Sequence, residues 1–303
     1  MWQKWTKEML AGDVRALARC ISLAENEATG YVEMLASLPI KNTPVIGITG
    51  PPGAGKSSIT DALIGLYVAD NKRVTVLCVD PSSPFNLGAI LGDRVRMSNW
   101  YNHPQVYIRS LATRGALGGL SPKIVEITDI IKAGNSDVII VETVGVGQSE
   151  IEIAGLADVT IVTMVPEGGD DIQTMKAGIM EIADIFVVNK ADRPGAGNFV
   201  KHLTMMLAPA FTHSQYEIPI IKTVATKKEG IEDLYNSIQK VLGQQKTNSR
   251  KKWLMAAKAY SILQHYVMQK FDKEALVMAW ERDAAKGKNV YAFVQAYIAK
   301  NEL

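Results

Sequence analysis

The sequence predicts an α/β protein in which a doubly wound, mainly parallel sheet carries a helical extension at each end. Between residues 43 and 243, short apolar runs rich in Val and Ile alternate with longer amphipathic stretches. Continuous apolarity is typical of parallel strands covered on both faces, and the strand-then-helix repetition is typical of doubly wound domains. Residues 1–42 and 244–303 instead carry apolar residues at helical spacing.

The first region, residues 1–42, is predicted to form two or three short helices. Leu10, Val14, Leu17 and Ile21 recur at the three- and four-residue spacing of one helix face, and no strand-like run interrupts them. We therefore expect a helical extension that precedes the sheet.

The apolar runs of the central region predict six strands. A further short run, residues 106–108, is a candidate seventh strand inside the long stretch between residues 80 and 137. That stretch is longer than an ordinary crossover, and such excess length is typical of a functional loop. The six predicted strands are residues 45–49, 74–79, 138–141, 159–165, 185–188 and 218–224.

The last region begins with a polar segment, residues 244–252, which is predicted to be a linker or a solvated turn. Beyond it, apolar side chains form a stripe at helical spacing. Such a stripe serves either as a dimer interface or as a face that packs on the central domain, and the sequence leaves both open. The stripe consists of Trp253, Ala256, Ala257, Tyr260, Leu263, Val267 and Phe271.

Composition limits the classes of partner. The chain carries 33 Lys and Arg residues against 31 Asp and Glu, a net charge of +2, so neither nucleic acid nor an anionic membrane is an expected partner. No apolar run reaches the ~18 residues of a membrane span. Cys20 and Cys78 lack metal or disulfide spacing, which indicates a reducing compartment. We expect a cytoplasmic protein.

The strongest motif is GPPGAGKS at residues 50–57, which satisfies the phosphate-loop pattern G-x-x-x-x-G-K-[ST]. A predicted strand precedes it and a helix-compatible stretch follows it, which is the arrangement that phosphate binding needs. Lys56 is expected to reach the β- and γ-phosphates, and the Ser57 hydroxyl to bind Mg²⁺. The expected nucleotide-binding residues here are Gly50, Pro51, Pro52, Gly53, Ala54, Gly55, Lys56, Ser57 and Ser58.

Two acids follow predicted strands on the side where ligands collect in doubly wound folds. Asp80 and Glu142 are therefore candidates to hold the metal. Residues 142–148 also resemble the D-T-x-G segment of GTPases, with Glu in place of the usual Asp. In that segment a glycine N–H senses the γ-phosphate, so Gly145 is a candidate pivot of a nucleotide-dependent switch.

A second motif, N-K-x-D at residues 189–192, follows a late predicted strand. The Asp192 carboxylate can accept hydrogen bonds from guanine N1–H and its exocyclic amine, whereas adenine presents the wrong donor pattern. Asn189 is expected to tie this loop to the phosphate loop, and the Lys190 stem to lie along the base. Thr223 and Ala225, at the end of the next strand, are softer candidates for packing on the base. The predicted ligand is therefore GTP or GDP with Mg²⁺.

Phosphoryl transfer needs a positioned water and neutralised charge more than covalent chemistry. Asp93, Gln148 and Asp80 are the candidates to orient water. Because no sequence feature guarantees an arginine finger in place, slow intrinsic GTP hydrolysis is expected. The candidates for positive charge are Lys56, Lys176, Arg94, Arg96 and Arg114.

A family resemblance becomes visible when longer segments are read together. The chain closely resembles the MeaB/ArgK (MMAA-type) G proteins over roughly residues 10–240, and beyond about residue 245 no family motif matches. The matching segments are residues 48–57, 79–84, 91–97, 108–110, 114–120, 141–150, 169–173, 176–184 and 189–192.

The resemblance implies a GTP-dependent chaperone of an adenosylcobalamin-dependent acyl-CoA mutase, chiefly methylmalonyl-CoA mutase, that gates cofactor loading and protects or reactivates the enzyme. It implies that Asp80, Asp93 and Glu142 surround Mg²⁺ and the γ-phosphate. It also implies a switch loop around residues 169–176 and a homodimer joined through C-terminal helices. Which acyl-CoA mutase is the partner stays open.

Three other functions are alternatives for a chain with a phosphate loop. A nickel-delivery GTPase of the HypB/UreG type needs Cys or His ligands near the nucleotide, and neither cysteine here has a neighbouring histidine. A small-molecule kinase needs a second substrate pocket. A module that binds nucleotide without hydrolysis is disfavoured by the complete phosphate and metal motifs.

Overall fold

The computed structural model describes residues 1–80, 94–113, 120–144, 149–167, 181–211, 218–244, 249–268, 271–285 and 287–300. The chain divides into two compact units, Met1–Lys251 and Lys252–Leu303. The first unit holds the sheet together with the N-terminal helices. The domain limits predicted at residues 42/43 and 243/244 stay predictions.

The first unit is built on a seven-stranded sheet in which all strand pairs are parallel, with the order β3-β2-β4-β1-β5-β6-β7. The predicted fold class is therefore confirmed. The candidate strand at residues 106–108 is present and extends to Ala112. The strands are β1 Val45–Thr49, β2 Val74–Asp80, β3 Val106–Ala112, β4 Val138–Glu142, β5 Val159–Met164, β6 Ile185–Asn189 and β7 Ile220–Thr223.

The position of β1 in this order decides where a ligand can bind. β1 lies between β4 and β5, so the chain crosses to one side of β1 for β2 to β4 and to the other side for β5 to β7. In open parallel sheets a crevice forms at the carboxyl ends of strands at such a point of reversal. The carboxyl ends of β1, β4 and β5 therefore border this crevice.

Helices cover both faces of the sheet, as continuous burial of the strands requires. One face packs Ile46, Ile48 and Ile140 against Leu63 and Leu234. The other packs Phe186 and Val188 against Phe199, Leu203 and Leu207. Within the described ranges, the helices of this unit are α1 Trp2–Leu10, α2 Val14–Glu25, α3 Tyr31–Ala36, α4 Lys56–Ala69, α5 Ile124–Ala133, α6 Ser149–Leu156, α7 Ala196–Phe211 and α8 Ile231–Gly243, with short 3₁₀ turns at Arg94–Trp100 and Ala225–Lys227.

The N-terminal extension forms three helices, in agreement with the prediction. Asp13 caps α2 by accepting a hydrogen bond from the Ala16 N–H at 2.7 Å. Arg109 on the edge strand β3 donates to Ser22 Oγ at 3.1 Å and to Glu25 Oε2 at 2.8 Å. These contacts join α2 to the sheet edge, so the extension belongs to the same compact unit.

The second unit is helical, as predicted for the C-terminal region. Its elements are most of α9 Ser249–Met268, together with α10 Lys273–Ala284 and α11 Val290–Lys300. Trp280 of α10 and Phe293 of α11 pack edge-to-face with ring centroids 5.5 Å apart. One expectation was wrong: residues 249–252, predicted as linker, are already helical, because their polar side chains are compatible with the first turn of an exposed helix. None of the described helices combines the length and the apolar character that a membrane span requires.

Candidate functional site

The glycine-rich loop leaves β1 in a conformation that only glycine tolerates. Gly50 has φ +137°, and a Cβ there would lie 2.0 Å from the Thr163 carbonyl oxygen. Gly55 has φ +91°, and a Cβ there would lie 2.2 Å from Asn189 Nδ2. The loop is thus pressed between β5 and the loop after β6, which is why the motif requires glycine at these two positions.

Lys56 is the first residue of α4 and is buried. Its ammonium group folds back over the loop, donating to the Gly50 carbonyl at 2.9 Å and the Pro51 carbonyl at 3.3 Å. Gly55 precedes α4 as its N-cap and offers no side-chain cap, so the backbone N–H groups and the dipole of α4 are directed into the loop. A cation and a helix N-terminus therefore converge on the space enclosed by the loop, which suits a phosphate.

The first turns of α4 contact the acid at the end of β4. Ser57 Oγ donates to Glu142 Oε1 at 2.7 Å, and Thr60 Oγ1 donates to Glu142 Oε2 at 3.2 Å. Glu142 is only 1% exposed. A hydroxyl and a carboxylate side by side at a phosphate loop form an all-oxygen donor set, which is the set that Mg²⁺ prefers. The residues present therefore fit this ion.

Asp80 lies on the neighbouring strand and is also buried. It ends β2, which pairs with β4 in a register that places Cys78 opposite Glu142. The backbone oxygen of Asp80 accepts a hydrogen bond from the Thr113 N–H at 3.2 Å. Asp80 and Glu142 thus end adjacent strands at the same edge of the sheet. The sequence predicted that each acid lies at a strand end.

Asn189 joins three loops. Its Nδ2 donates to the Ala54 carbonyl at 2.9 Å, while its Oδ1 accepts from Thr223 Oγ1 at 3.1 Å and from the Ala225 N–H at 3.2 Å. All four residues are buried. The side chain of Asn189 therefore sets the phosphate loop, the end of β6 and the end of β7 in a fixed relation.

Asp192 lies at the open side of the same cluster and is 44% exposed, so its carboxylate is accessible to a base. Its Oδ2 is 3.6 Å from Lys227 Nζ. Lys190 lies between Asn189 and Asp192 in the motif. It has φ +56°, a left-handed conformation that turns the loop after β6. Lys227 is not among the predicted site residues, and its pairing with Asp192 appears only in the folded chain.

Glu167, which follows β5 near this loop, is paired with Arg193, the residue after Asp192. The hydrogen bond from the Arg193 guanidinium holds the pKa of the Glu167 carboxyl below its usual value. This exposed pair links the segment that follows β5 to the N-K-x-D loop.

Several predicted residues lie outside the described part of the chain. They are Asp93, Arg114, Gly145, Gln148 and Lys176, and the side chains of Arg94 and Arg96. Their expected roles in orienting water, adding positive charge and sensing the γ-phosphate remain predictions. Thr60 was missed altogether. Its only sequence signal is a hydroxyl three residues after Ser57, on the same face of α4.

A soft metal such as nickel would need sulfur or imidazole ligands close together. Within the described ranges, no three His, Cys, Asp or Glu side chains lie close enough to hold a metal ion. Both cysteines are buried and neither forms a disulfide. The described residues therefore offer no observation in favour of nickel delivery.

Comparison with known proteins identifies the family. The model for "Methylmalonyl Co-A mutase-associated GTPase MeaB" matches residues 17–278. A putative GTPase of Pyrococcus horikoshii is 48% identical over 233 residues, covering 75% of this chain and 74% of that protein. GTPase ArgK of Escherichia coli is 35% identical over 242 residues, covering 77% and 73% respectively.

A relative of another architecture also matches. A fused isobutyryl-CoA mutase of Geobacillus kaustophilus is 36% identical over 233 residues, covering 72% of this chain but 21% of that protein. Among solved structures, an LAO/AO transport system kinase has a TM-score of 0.66 at 24% identity, covering 100% of this chain and 93% of that one. That structural likeness shows the fold alone.

The family match extends well beyond the phosphate loop, through the sheet and into the C-terminal helices. The resemblance inferred from the sequence is thereby confirmed. The expectation that it ends near residue 245 was wrong, because the family model matches as far as residue 278. Relatives of similar length carry the name GTPase, and they cover about three quarters of this chain. This chain belongs to the methylmalonyl-CoA mutase-associated GTPase family, MeaB, and is a P-loop GTPase that binds and hydrolyses GTP.

Proposed function

We propose that this GTPase is a chaperone of an adenosylcobalamin-dependent acyl-CoA mutase, which gates loading of the cofactor and protects or reactivates the mutase. The observation that carries the proposal is the fused isobutyryl-CoA mutase, in which a segment 36% identical to this chain makes up 21% of one polypeptide. Fusion holds two modules at high effective concentration, an arrangement that benefits partners that must act together. The family description, which names methylmalonyl-CoA mutase, supports the same class of partner.

In this proposal the triphosphate occupies the loop of residues 50–58. Backbone N–H groups surround its oxygens, and Lys56, now folded over the Gly50 carbonyl, turns to the β- and γ-phosphates. Ser57, Asp80, Asp93 and Glu142 are the proposed Mg²⁺ site. When bound, Mg²⁺ neutralises charge on the β- and γ-phosphates.

The base is read at the other end of the cluster. Asp192 accepts hydrogen bonds from guanine, and the Lys190 stem lies along its face. Thr223 and Ala225 are held beside the base through Asn189, whose contacts with both are 3.1 and 3.2 Å long. Because Asn189 also holds the phosphate loop, recognition of the base and of the phosphates is coupled.

Nucleotide state is relayed by the segments expected to touch the γ-phosphate, Gly145 and residues 169–176. Gln148, Lys176 and the two acids Asp80 and Asp93 are the proposed groups around the attacking water, and intrinsic turnover is slow.

The protein acts in the cytoplasm as a homodimer joined through α9. Trp253, Tyr260 and Leu263 support this interface, since their side chains are 78%, 63% and 62% exposed along one helix.

The partner is tested with purified mutases. The immobilised chain is incubated separately with methylmalonyl-CoA mutase and isobutyryl-CoA mutase, in Mg²⁺ with GDP, with a non-hydrolysable GTP analogue or without nucleotide. We expect at least one mutase to be retained, with an affinity that differs between the two nucleotide states. Lys56→Ala, which cannot respond to the γ-phosphate, should retain that mutase equally in all three conditions.

A second arm follows adenosylcobalamin. Transfer of the cofactor to the retained apo-mutase is monitored by its absorbance, with GTP and with the analogue. The chaperone proposal predicts that the rate depends on the nucleotide. Failure of every cobalamin mutase tested to bind in any state would contradict it.

A further inference from the structure

Thr60 contacts the proposed metal-binding acid from a position that the phosphate-loop motif does not include. It lies in α4, three residues after Ser57, and its side chain is fully buried. Its Oγ1 is 3.2 Å from Glu142 Oε2, while Ser57 Oγ is 2.7 Å from Glu142 Oε1. One face of one helix therefore donates to both carboxylate oxygens.

The threonines of the other described α-helices make a different contact. Thr6, Thr128 and Thr204 each donate to the carbonyl four residues earlier in their own helix, at 3.0, 2.6 and 2.9 Å. That backbone contact is the ordinary choice of a threonine inside a helix. The Thr60 hydroxyl instead reaches a side chain on β4, 82 residues away in sequence.

The second contact has a consequence for the orientation of the acid. The terminal torsion of a glutamate side chain is broad, so a carboxylate held at one oxygen can rotate about its last bond. Ser57 can offer its oxygen lone pair to Mg²⁺ while its proton is still donated to Oε1. Holding Oε2 at the same time fixes the plane of the carboxylate, and with it the direction in which Oε1 meets the ion and its waters.

We propose that Thr60 is a positioning residue that fixes the Glu142 carboxylate for Mg²⁺ coordination. The proposal rests on the proposed function of Ser57 and Glu142 as the magnesium site. Outer-shell partners of metal-binding carboxylates typically change metal affinity about 10- to 100-fold when removed. The effect expected here is at the low end, because Ser57 remains in place.

The test compares Thr60→Val, Thr60→Ser and Glu142→Gln with the unmodified chain. Calorimetry gives the GTP affinity of each in excess Mg²⁺ and in EDTA, and the ratio of the two affinities measures the contribution of the ion. We expect Thr60→Val to lower this ratio about tenfold while leaving the affinity in EDTA unchanged. Thr60→Ser, which keeps the hydroxyl, should restore the ratio. Thermal unfolding checks that each variant is folded, and Thr60→Ala replaces the valine variant if that one is not.

The outcomes separate the two proposals. If Glu142→Gln lowers the ratio and Thr60→Val does not, Thr60 has no positioning role although the magnesium site stands. If Thr60→Val weakens GTP equally in Mg²⁺ and EDTA, the residue is merely structural and the inference is overturned. If even Glu142→Gln leaves the ratio unchanged, the magnesium site itself fails, and the role of Thr60 fails with it.

Discussion

Asn189 and Ala54 are joined by a hydrogen bond of 2.9 Å from the side-chain amide of the first to the backbone carbonyl of the second. This bond connects the loop that would read the base to the loop that would hold the phosphates. It passes close to Gly55, whose missing side chain leaves the space that the Asn189 amide occupies. The two halves of the nucleotide site are therefore set by one contact, and disturbing it should affect both.

Gly55→Ala tests this contact. The new Cβ would lie 2.2 Å from Asn189 Nδ2, at a residue with φ +91°, so Asn189 must move away from Ala54. We expect GTP affinity to fall at least about tenfold, since a lost hydrogen bond and a strained residue together exceed the ~1.4 kcal/mol that a tenfold change represents. Calorimetry with GTP measures the loss.

Gly53→Ala is the matched control. Gly53 also has a positive φ, +78°, but nothing lies within 4 Å of a Cβ built there. It should incur the strain of the left-handed conformation, about 1–2 kcal/mol, without displacing Asn189. Equal losses of affinity in the two variants would mean that the clash with Asn189 is unimportant.

Asp192→Asn should change the base that is preferred. The amide cannot accept from guanine N1–H and the exocyclic amine as the carboxylate does, whereas it can pair with xanthine. GTP affinity should fall about 10- to 100-fold and XTP affinity should rise, as measured by competition against a fluorescent guanine nucleotide.

Lys227→Ala controls for the neighbouring ion pair, because Lys227 Nζ lies 3.6 Å from the Asp192 carboxylate in an exposed position. Exposed pairs contribute little, so this variant should keep its preference for GTP. Equal affinity of the unmodified protein for ATP and GTP would contradict the assignment of Asp192.

Most of the fold could be predicted because strands buried on both faces appear in the sequence as short, continuous apolar runs. Each predicted run in the central region corresponds to a strand, and even the short run at residues 106–108 lies within β3. The glycine-rich loop was equally readable, since its motif combines residue types that phosphate binding requires. The start of α9 was misjudged because polar residues are compatible with both a linker and an exposed helical turn.

The contacts that shape the site were harder to predict. Thr60 donates a hydrogen bond to Glu142, which is 82 residues away in sequence. Lys227 forms an ion pair with Asp192 because the ends of β6 and β7 lie side by side. Neither follows from local spacing, because both depend on which strands become neighbours in the sheet. Asn189 was predicted correctly as a link to the phosphate loop, since the motif that contains it carries that function.

The apolar stripe of α9 gives a prediction about assembly. Leu263 is 62% exposed, and replacing it with lysine would place a charge in the proposed dimer interface. Leu263→Lys should sediment as a monomer at concentrations where the unmodified chain is a dimer. Gln264→Lys, a change at the adjacent exposed position, should leave the dimer intact. A monomeric unmodified chain would contradict the proposed homodimer.

The contact between α4 and α8 gives a prediction about pH. Tyr235 donates its hydroxyl to the Asp70 carboxylate, and its pKa is raised from 10.0 to about 12, first by burial and then by this hydrogen bond. The folded state therefore favours the neutral phenol. This contribution to stability is complete below the unfolded pKa of about 10 and is lost as the pH rises towards 12.

Tyr235→Phe should remove that dependence. The difference in unfolding free energy between the two proteins, measured in urea, should narrow between pH 10 and pH 12. The reason is that only the unmodified chain has a phenolic proton at position 235 to lose. A constant difference across this range would show that the pKa of Tyr235 is not raised in the folded protein.

Lys56 tests the central claim most directly, that the loop of residues 50–58 holds the phosphates of GTP. Calorimetry with GTP and Mg²⁺ compares the unmodified chain with Lys56→Ala and with Lys72→Ala, a change of an exposed lysine just beyond the end of α4. Loss of a charged contact to phosphate should weaken binding about 10- to 100-fold in Lys56→Ala and leave Lys72→Ala unchanged. Unaltered GTP affinity in Lys56→Ala would contradict the account.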